Sequence, residues 1–333
     1  MHFGPVILLS IIILVLAYLT TWLFRSISSS RNIIDIPNDR SSHTVPTPRG
    51  GGIAILISWY AGISVLFIVE FIGLNLYLAF LSGIILAATS LLDDIVSIRP
   101  SIRILAQTVT SILAIYFLGG FNSVDIIGKL SIPAIITFPV SVIGMIWFIN
   151  LYNFLDGIDG YASIQAICIS AALFLFTGAG INMILIACVA GFLIWNWPPA
   201  KIFMGDIGST QLGFILVVLG IYYHNENTLP FMWWLVLTSP FWFDATLTLF
   251  RRWRNGEKLS QAHKKHAYQR LVQSGFSHLK VDLLLVSTNV LLVIVVSLCI
   301  NTRWLQIPVL LFISSLLYLV TVIIDRRKPF PKD

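Results

Sequence analysis

Apolar runs the length of a membrane crossing recur along nearly the whole chain, and they limit the fold more than any other feature. An α-helix needs about 20 apolar residues to span a bilayer. Eleven stretches meet that need: 5–24, 51–70, 74–92, 103–119, 132–151, 161–178, 181–197, 209–224, 230–250, 281–300 and 304–324. Of 333 residues, 57% are hydrophobic and only 11% charged, more apolar surface than a water-soluble domain can bury. The expected fold is therefore an all-α polytopic membrane protein, one integral membrane domain over 1–333. The first stretch lacks a basic leader and a small-residue cleavage site, so it reads as a retained span.

Lysine and arginine set the expected orientation. Nineteen of the 21 fall in alternate connections, at 25–50, 93–103, 198–208, 251–280 and the tail 325–333, leaving Lys129 and Arg303 on the other side. This places the N-terminus outside and the C-terminus in the cytoplasm. The net charge of +6 follows from that bias and gives no reason to expect a nucleic-acid partner. Cys168, Cys188 and Cys299 are scattered in apolar runs without metal-ligand spacing and read as buried structural thiols.

The carboxylates follow the basic residues, although charge bias does not require it. Asp93, Asp94, Asp156, Asp159 and Asp206 all lie on the expected inner side. In LLDDIVSIRPSIR (91–103) two adjacent acids repel, and keeping both ionised calls for a cation or for Arg99 and Arg103. In NLYNFLDGIDGYA (150–162), Asn150, Asn153, Asp156 and Asp159 would share one face of a continuing helix. Gly157 and Gly160 favour unwinding instead, which frees backbone amides for a ligand. In FMGDIGST (203–210), Gly205 and Gly208 bracket Asp206 at the start of a span, where a helix dipole is positive. Asp with Asn and water oxygens suits Mg²⁺, which takes few protein ligands and completes its shell with substrate phosphates.

Two further loops lie on the same side. RRWRNGEKLSQAHKKHAYQRL (251–271) offers His263 and His266 beside Lys264 and Lys265, groups able to grip a diphosphate. DIPNDRSSHTVPTPRGGG (35–52) makes a fixed turn into the second span and offers Arg40, His43 and Arg49. Pro240, inside the ninth span, is expected to kink it, so that FWFDATLTLFRRW emerges as an amphipathic arm beside a groove for a lipid tail. Asp244 in that arm has no assigned role. From the residues alone, the expectation is a Mg²⁺-dependent site for phosphate chemistry that opens on the cytoplasm.

In order and spacing, DD, NxxNxxDGxDG, NxxPAKxFMGDxGS and HxxH over about 35–270 resemble the polyprenyl-phosphate N-acetylhexosamine-1-phosphate transferases. These enzymes start O-antigen, enterobacterial common antigen and teichoic acid synthesis, and include the lipid I synthase. The resemblance implies transfer of a sugar-1-phosphate from a UDP-sugar to undecaprenyl phosphate, with release of UMP, at a bacterial inner membrane. Carried over by position, Asp206 binds Mg²⁺ (Mn²⁺ substituting), with Asn153 beside it. Asp93 deprotonates or orients the lipid phosphate with support from Asp94, and Arg103 meets that phosphate. Asp156 and Asp159 are catalytic-loop acids lining the nucleoside pocket, Phe203 stacks on uracil and Asn196 packs nearby. His263, Lys264 and His266 face the diphosphate. Members often form homodimers.

This chain departs from the family in two places. It carries HKKH where many relatives have HxHH, which is more similar to enzymes using UDP-N-acetylfucosamine or UDP-N-acetylquinovosamine. It carries PTPRGGG where lipid I synthases have PTMGG. An ion-coupled transporter is the alternative from another class, but its carboxylates would lie near the bilayer midplane and not at one interface.

Overall fold

A computed structural model describes residues 3–30, 34–37, 45–96, 98–122, 133–259, 261 and 263–331. Arg40 and His43 lie outside these. In chain order the helices are α1 (Phe3–Ser30), α2 (Gly52–Ile68), α3 (Leu74–Leu81), α4 (Gly83–Val96), α5 (Pro100–Phe117), α6 (Ala134–Phe154) and α7 (Tyr161–Thr177). They continue with α8 (Ile181–Asn196), α9 (Asp206–Asn225), α10 (Phe231–Leu237), α11 (Ser239–Arg254), α12 (Ala267–Gln273), α13 (His278–Cys299) and α14 (Gln306–Arg327). A two-residue antiparallel ladder pairs β1 (Ile34–Asp35) with β2 (Thr47–Pro48).

The protein is an all-α, multi-pass membrane protein. Among the described residues, seven helices are long and apolar enough to cross a membrane, counting Leu74–Asp94 as one, and Gly52–Ile68, Tyr161–Thr177 and Ile181–Asn196 are shorter apolar helices. Each of the eleven expected stretches is largely helical, but length and composition single out seven as crossings. The ninth stretch is interrupted. Helix α10 stops at Leu237, Thr238 turns, and Pro240 sits in the first turn of α11. Proline lacks the amide that would continue the ladder and fits best in a first turn.

Helix α9 is the centre of the bundle, with 89% of its apolar window buried, against 17% for α14 and 22% for α1. It packs against α2, α4, α6, α7 and α10. Lipid tails are as apolar as leucine, so helices associate in a bilayer through close packing and interhelical hydrogen bonds. Both devices are present. A Cβ on Gly191 would stand 2.5 Å from the Leu14 carbonyl oxygen, and one on Gly213 would stand 3.1 Å from the Ile149 Cα. Asn289 Nδ2 donates to Gln165 Oε1 at 2.7 Å between α13 and α7, and Asn182 Nδ2 donates to Tyr223 Oη at 2.7 Å between α8 and α9. Cys188 is buried, Cys168 and Cys299 are half-buried, and all three are free thiols.

Candidate active site

A polar cavity of about 560 Å³ opens where the C-terminal ends of α4 and α6 meet the N-terminal ends of α5 and α9 and the loop after α11. Its lining includes Asp93, Arg103, Asn153, Asp206, His263 and His266, with Ser90, Gln107, Asn150, Thr210 and Gln261. Segments as far apart in sequence as those of Ser90 and His266 thus share one hollow at one end of the bundle.

The two acids of the DD pair diverge. The chain remains helical through Val96, not looping from residue 93 as the sequence suggested, because α4 is held against α9 up to its last turns. The Ser90 and Thr210 hydroxyls lie 3.1 Å apart in that contact. Neighbouring residues on a helix point about 100° apart. Asp93 accepts Arg103 Nη1 at 2.8 Å and the Ile98 amide at 2.9 Å, tying α4 to α5 across the short turn. Asp94 faces the other way, with Arg49 Nη2 at 3.5 Å.

Helix α6 ends at Phe154, so the four-residue face expected of a continuous helix does not form; Gly157 and Gly160 lie in the unwound segment, as the glycines suggested. A Cβ at Gly157 would reach the Tyr268 hydroxyl at 2.2 Å, so only glycine lets the α12 turn pack there. Asn150 exchanges two hydrogen bonds with Gln107, at 2.7 and 3.2 Å, which fixes α6 against α5. Asn153 Nδ2 donates to Ser209 Oγ at 2.9 Å, leaving its carbonyl oxygen as the remaining acceptor beside Asp206.

Asp159 and Asn196 do not line the cavity; they build its neighbouring wall. Asp159 Oδ2 accepts the Ala200 amide at 3.0 Å and lies 3.2 Å from His278 Nδ1. Asn196 accepts the Gly160 amide at 3.0 Å and donates to the Ile202 carbonyl at 3.0 Å. Together they clamp the 156–160 loop onto the 198–203 loop. Phe203 is half-buried, and its backbone continues the small ladder: its amide donates to the Pro48 carbonyl at 2.8 Å and its carbonyl accepts the Gly51 amide at 2.9 Å. Lys264, also half-buried, is outside the cavity lining.

The PRGGG turn therefore carries the FMGD loop. Gly52 donates to the Met204 carbonyl at 2.8 Å, and a Cβ on Gly52 would stand 2.4 Å from the Gly208 Cα. This contact seats Asp206 at the first turn of α9. Among the described residues no ion pair reaches the Asp206 carboxylate, whereas its charge acts on Asp94 and Asp156. Burial first, then Asp206 and Asp159, push the Asp156 carboxyl well above the usual carboxylate range, against the pull of Arg49. Like charges gathered in this way favour a cation.

Among the described residues no three His, Cys, Asp or Glu side chains converge as a metal cage. That suits Mg²⁺, which uses one or two carboxylates and takes phosphate and water oxygens for the rest. Among the described residues Asp206 has no ion-pair partner; at the positive end of α9, with the Asn153 amide at the same cavity, it fits such an ion.

Burial, then His266, Arg252 and Lys265, lower His263 to about 3, so it is neutral at ordinary pH. Three residues were missed as site builders. Arg49 belongs to the turn before α2, and its neighbourhood with Asp94 is legible only in space. Gln107 carried no motif. Asp244 accepts the Ala267 amide at 2.9 Å and so holds the end of the histidine loop.

An apolar cavity of about 440 Å³ is lined by Gly144, Met145 and Phe148 of α6 with Trp234 and Leu235 of α10 and Trp242 of α11. Helix α6 lines both cavities, Phe148 in the apolar one and Asn150 in the polar one.

The glycosyl transferase family 4 model matches residues 76–224, a segment that holds the DD, DGIDG and FMGD motifs. A probable undecaprenyl-phosphate N-acetylglucosaminyl 1-phosphate transferase of Bacillus subtilis is 27% identical over 97% of this chain and 94% of its own length. A decaprenyl-phosphate N-acetylglucosaminephosphotransferase of Mycobacterium leprae is 26% identical over 81% of this chain and 78% of its own. A phospho-N-acetylmuramoyl-pentapeptide-transferase of Vesicomyosocius okutanii is 31% identical over 56% of this chain and 63% of its own. In its motif-bearing segment and in these relatives, the chain is similar to the polyprenyl-phosphate sugar-1-phosphate transferases of glycosyl transferase family 4.

Proposed function

We propose that the protein transfers a HexNAc-1-phosphate, or its deoxy form, from a UDP-sugar to undecaprenyl phosphate, and that the lipid-diphosphate sugar formed initiates O-antigen or another envelope glycan. The site would face the cytoplasm of a bacterial inner membrane. The observation that carries this reading is the convergence of Asp93, Arg103, Asn153, Asp206, His263 and His266 on one cavity that shares α6 with an apolar one. A phosphate-bearing lipid needs both environments side by side.

In this reading Arg103 holds the lipid phosphate, and Asp93, committed to Arg103 and the Ile98 amide, aims that guanidinium. An oxygen of the lipid phosphate attacks the β-phosphorus of the UDP-sugar; the new P–O bond forms as the bond to the α-phosphate breaks, and UMP leaves with that electron pair. Asp206, with Asn153, would hold Mg²⁺, which neutralises the diphosphate charge when bound. His263, neutral at working pH, and His266 would lie along the diphosphate, and the Asp159–Asn196 clamp shapes the uridine side with Phe203. No covalent enzyme intermediate is required, because a phosphate monoester is already a competent nucleophile.

The test is purified protein with Mg²⁺, undecaprenyl phosphate and a panel of UDP-N-acetylhexosamines, their 6-deoxy forms and UDP-MurNAc-pentapeptide, following UMP. Release with a HexNAc donor is expected. Release only from the muramoyl donor would make the protein a lipid I synthase, as the Vesicomyosocius relative is named. No release from any donor removes the transferase reading.

A further inference from the structure

Asp244 lies on α11, one turn beyond the proline that interrupts the ninth apolar stretch. Its carboxylate is nearly enclosed, with 13% of the side chain exposed. Oδ1 accepts the Ala267 amide at 2.9 Å and the Thr248 hydroxyl at 3.1 Å, and Oδ2 faces the Tyr268 amide at 3.5 Å. The same Oδ1 stands 3.8 Å from His266 Nδ1, too long for a hydrogen bond but close enough to act on the ring by charge. His266 is 1% exposed, stacks on Tyr268 and lines the polar cavity.

We propose that Asp244 is a positioning residue for His266: its carboxylate fixes the first turn of α12 through two amides and selects the imidazole tautomer protonated at Nδ1. The two nitrogens lie on opposite sides of the ring, so a proton held at Nδ1 towards Asp244 leaves the Nε2 lone pair for the cavity. Which nitrogen carries the proton is set by the group facing it. The alternative tautomer would leave Nδ1 as an unprotonated acceptor facing a carboxylate, a repulsive arrangement for a ring that is 1% exposed. Asp244 also links the histidine loop to α11, whose Trp242 borders the apolar cavity. The part this geometry plays in turnover rests on the transferase reading; the tautomer itself does not.

The first measurement needs no activity. In ¹⁵N-histidine-labelled full-length protein, His266 is assigned among the six histidines by a His266→Gln difference spectrum. The Nδ1-protonated signature is expected in the native chain and lost in Asp244→Asn. A native ring protonated at Nε2, or averaging between tautomers, overturns the proposal whether or not any variant folds. For turnover, Asp244→Asn can still accept the Ala267 amide through its side-chain carbonyl. Its kcat should fall roughly 10- to 100-fold with the KM for the sugar nucleotide nearly unchanged, and Asp244→Glu should recover part of the loss. Native kcat in Asp244→Asn with its tautomer altered also overturns the catalytic part. If the native chain releases no UMP from any donor, the transferase reading fails while the tautomer result stands.

Discussion

Arg103 Nη1 lies 2.8 Å from Asp93 Oδ2 across the turn between α4 and α5. Asp93 is half-occupied again by the Ile98 amide, so the carboxylate holds a guanidinium in place at the cavity wall. The Arg103 side chain is 42% exposed, and an ion pair this open adds little stability. Its value lies in aim. Arg103→Ala should raise the KM for the lipid phosphate roughly 10- to 100-fold, the worth of a lost hydrogen bond to a charged group, with the melting temperature nearly unchanged. Equal rises in both substrates' KM would remove Arg103 from the acceptor side.

Asp206 starts the most buried helix of the bundle, which makes its substitution a test of chemistry and not of folding. Asp206→Asn keeps size and N-terminal position while removing charge. Turnover should fall at least about 100-fold, as when one electrostatic stabiliser of a transition state is removed. Circular dichroism and thermal unfolding should match the native chain. Substantial residual turnover would move the metal role elsewhere.

Close approach at the α2–α9 junction gives a stability prediction. The Cβ of Gly52→Ala would stand 2.4 Å from the Gly208 Cα, with backbone on the opposing side and no flexible side chain able to yield. Overpacking of this kind costs about 1–3 kcal/mol. Because the same contact seats the FMGD loop, thermal unfolding should shift down and turnover should fall together; an unchanged melting temperature would contradict the geometry.

Glu257 is paired with Arg252 at 2.8 Å and Lys265 at 3.1 Å. Burial raises its carboxyl, but hydrogen bonds from Arg252 and Lys265 and the lysine charge outweigh this and hold it below its ordinary value of 4.5. A carboxylate with a lowered folded-state pKa stabilises fully above its unfolded value and loses that contribution as pH falls through the folded one. Glu257→Gln should therefore melt below the native chain at pH 7, with the gap closing under acid conditions below about pH 4.5. A gap independent of pH would assign the loss to packing.

Gly144 has open space where a Cβ would stand, and it lines the apolar cavity. Gly144→Leu should leave the fold intact and partly fill that cavity. The prenyl chain loses only fit, since the surrounding lipid is an equally apolar solvent. The expected effect is a severalfold rise in KM for undecaprenyl phosphate and none for a short-chain prenyl acceptor. A KM unchanged for the long acceptor would place its tail elsewhere.

Much of the fold was legible in the sequence, because a bilayer admits few solutions for backbone polar groups. Apolar runs of the right length had to be helices, and Pro240 had to lie at a helix start or a break. The DGIDG unwinding was equally legible, since Gly157 and Gly160 punctuate a short motif. The divergence of Asp93 from Asp94 was not, because it depends on α4 continuing to Val96 against α9. The resemblance put Asp159 at the nucleoside pocket and Asn196 near it; that Asp159 Oδ2 accepts the Ala200 amide and that Asn196 bridges Gly160 and Ile202 shows only in space.

The sequence by itself determined a helical membrane protein with its carboxylates and histidines at alternate connections, since period and hydrophobicity are local properties of the chain. Only the tertiary structure decided that Asp206 has no ion pair among the described residues, that Arg49 lies beside Asp94, and that Asp244 accepts the Ala267 amide 23 residues away. These are pairings between helices, fixed by small residues and close packing, and no local pattern encodes the partner.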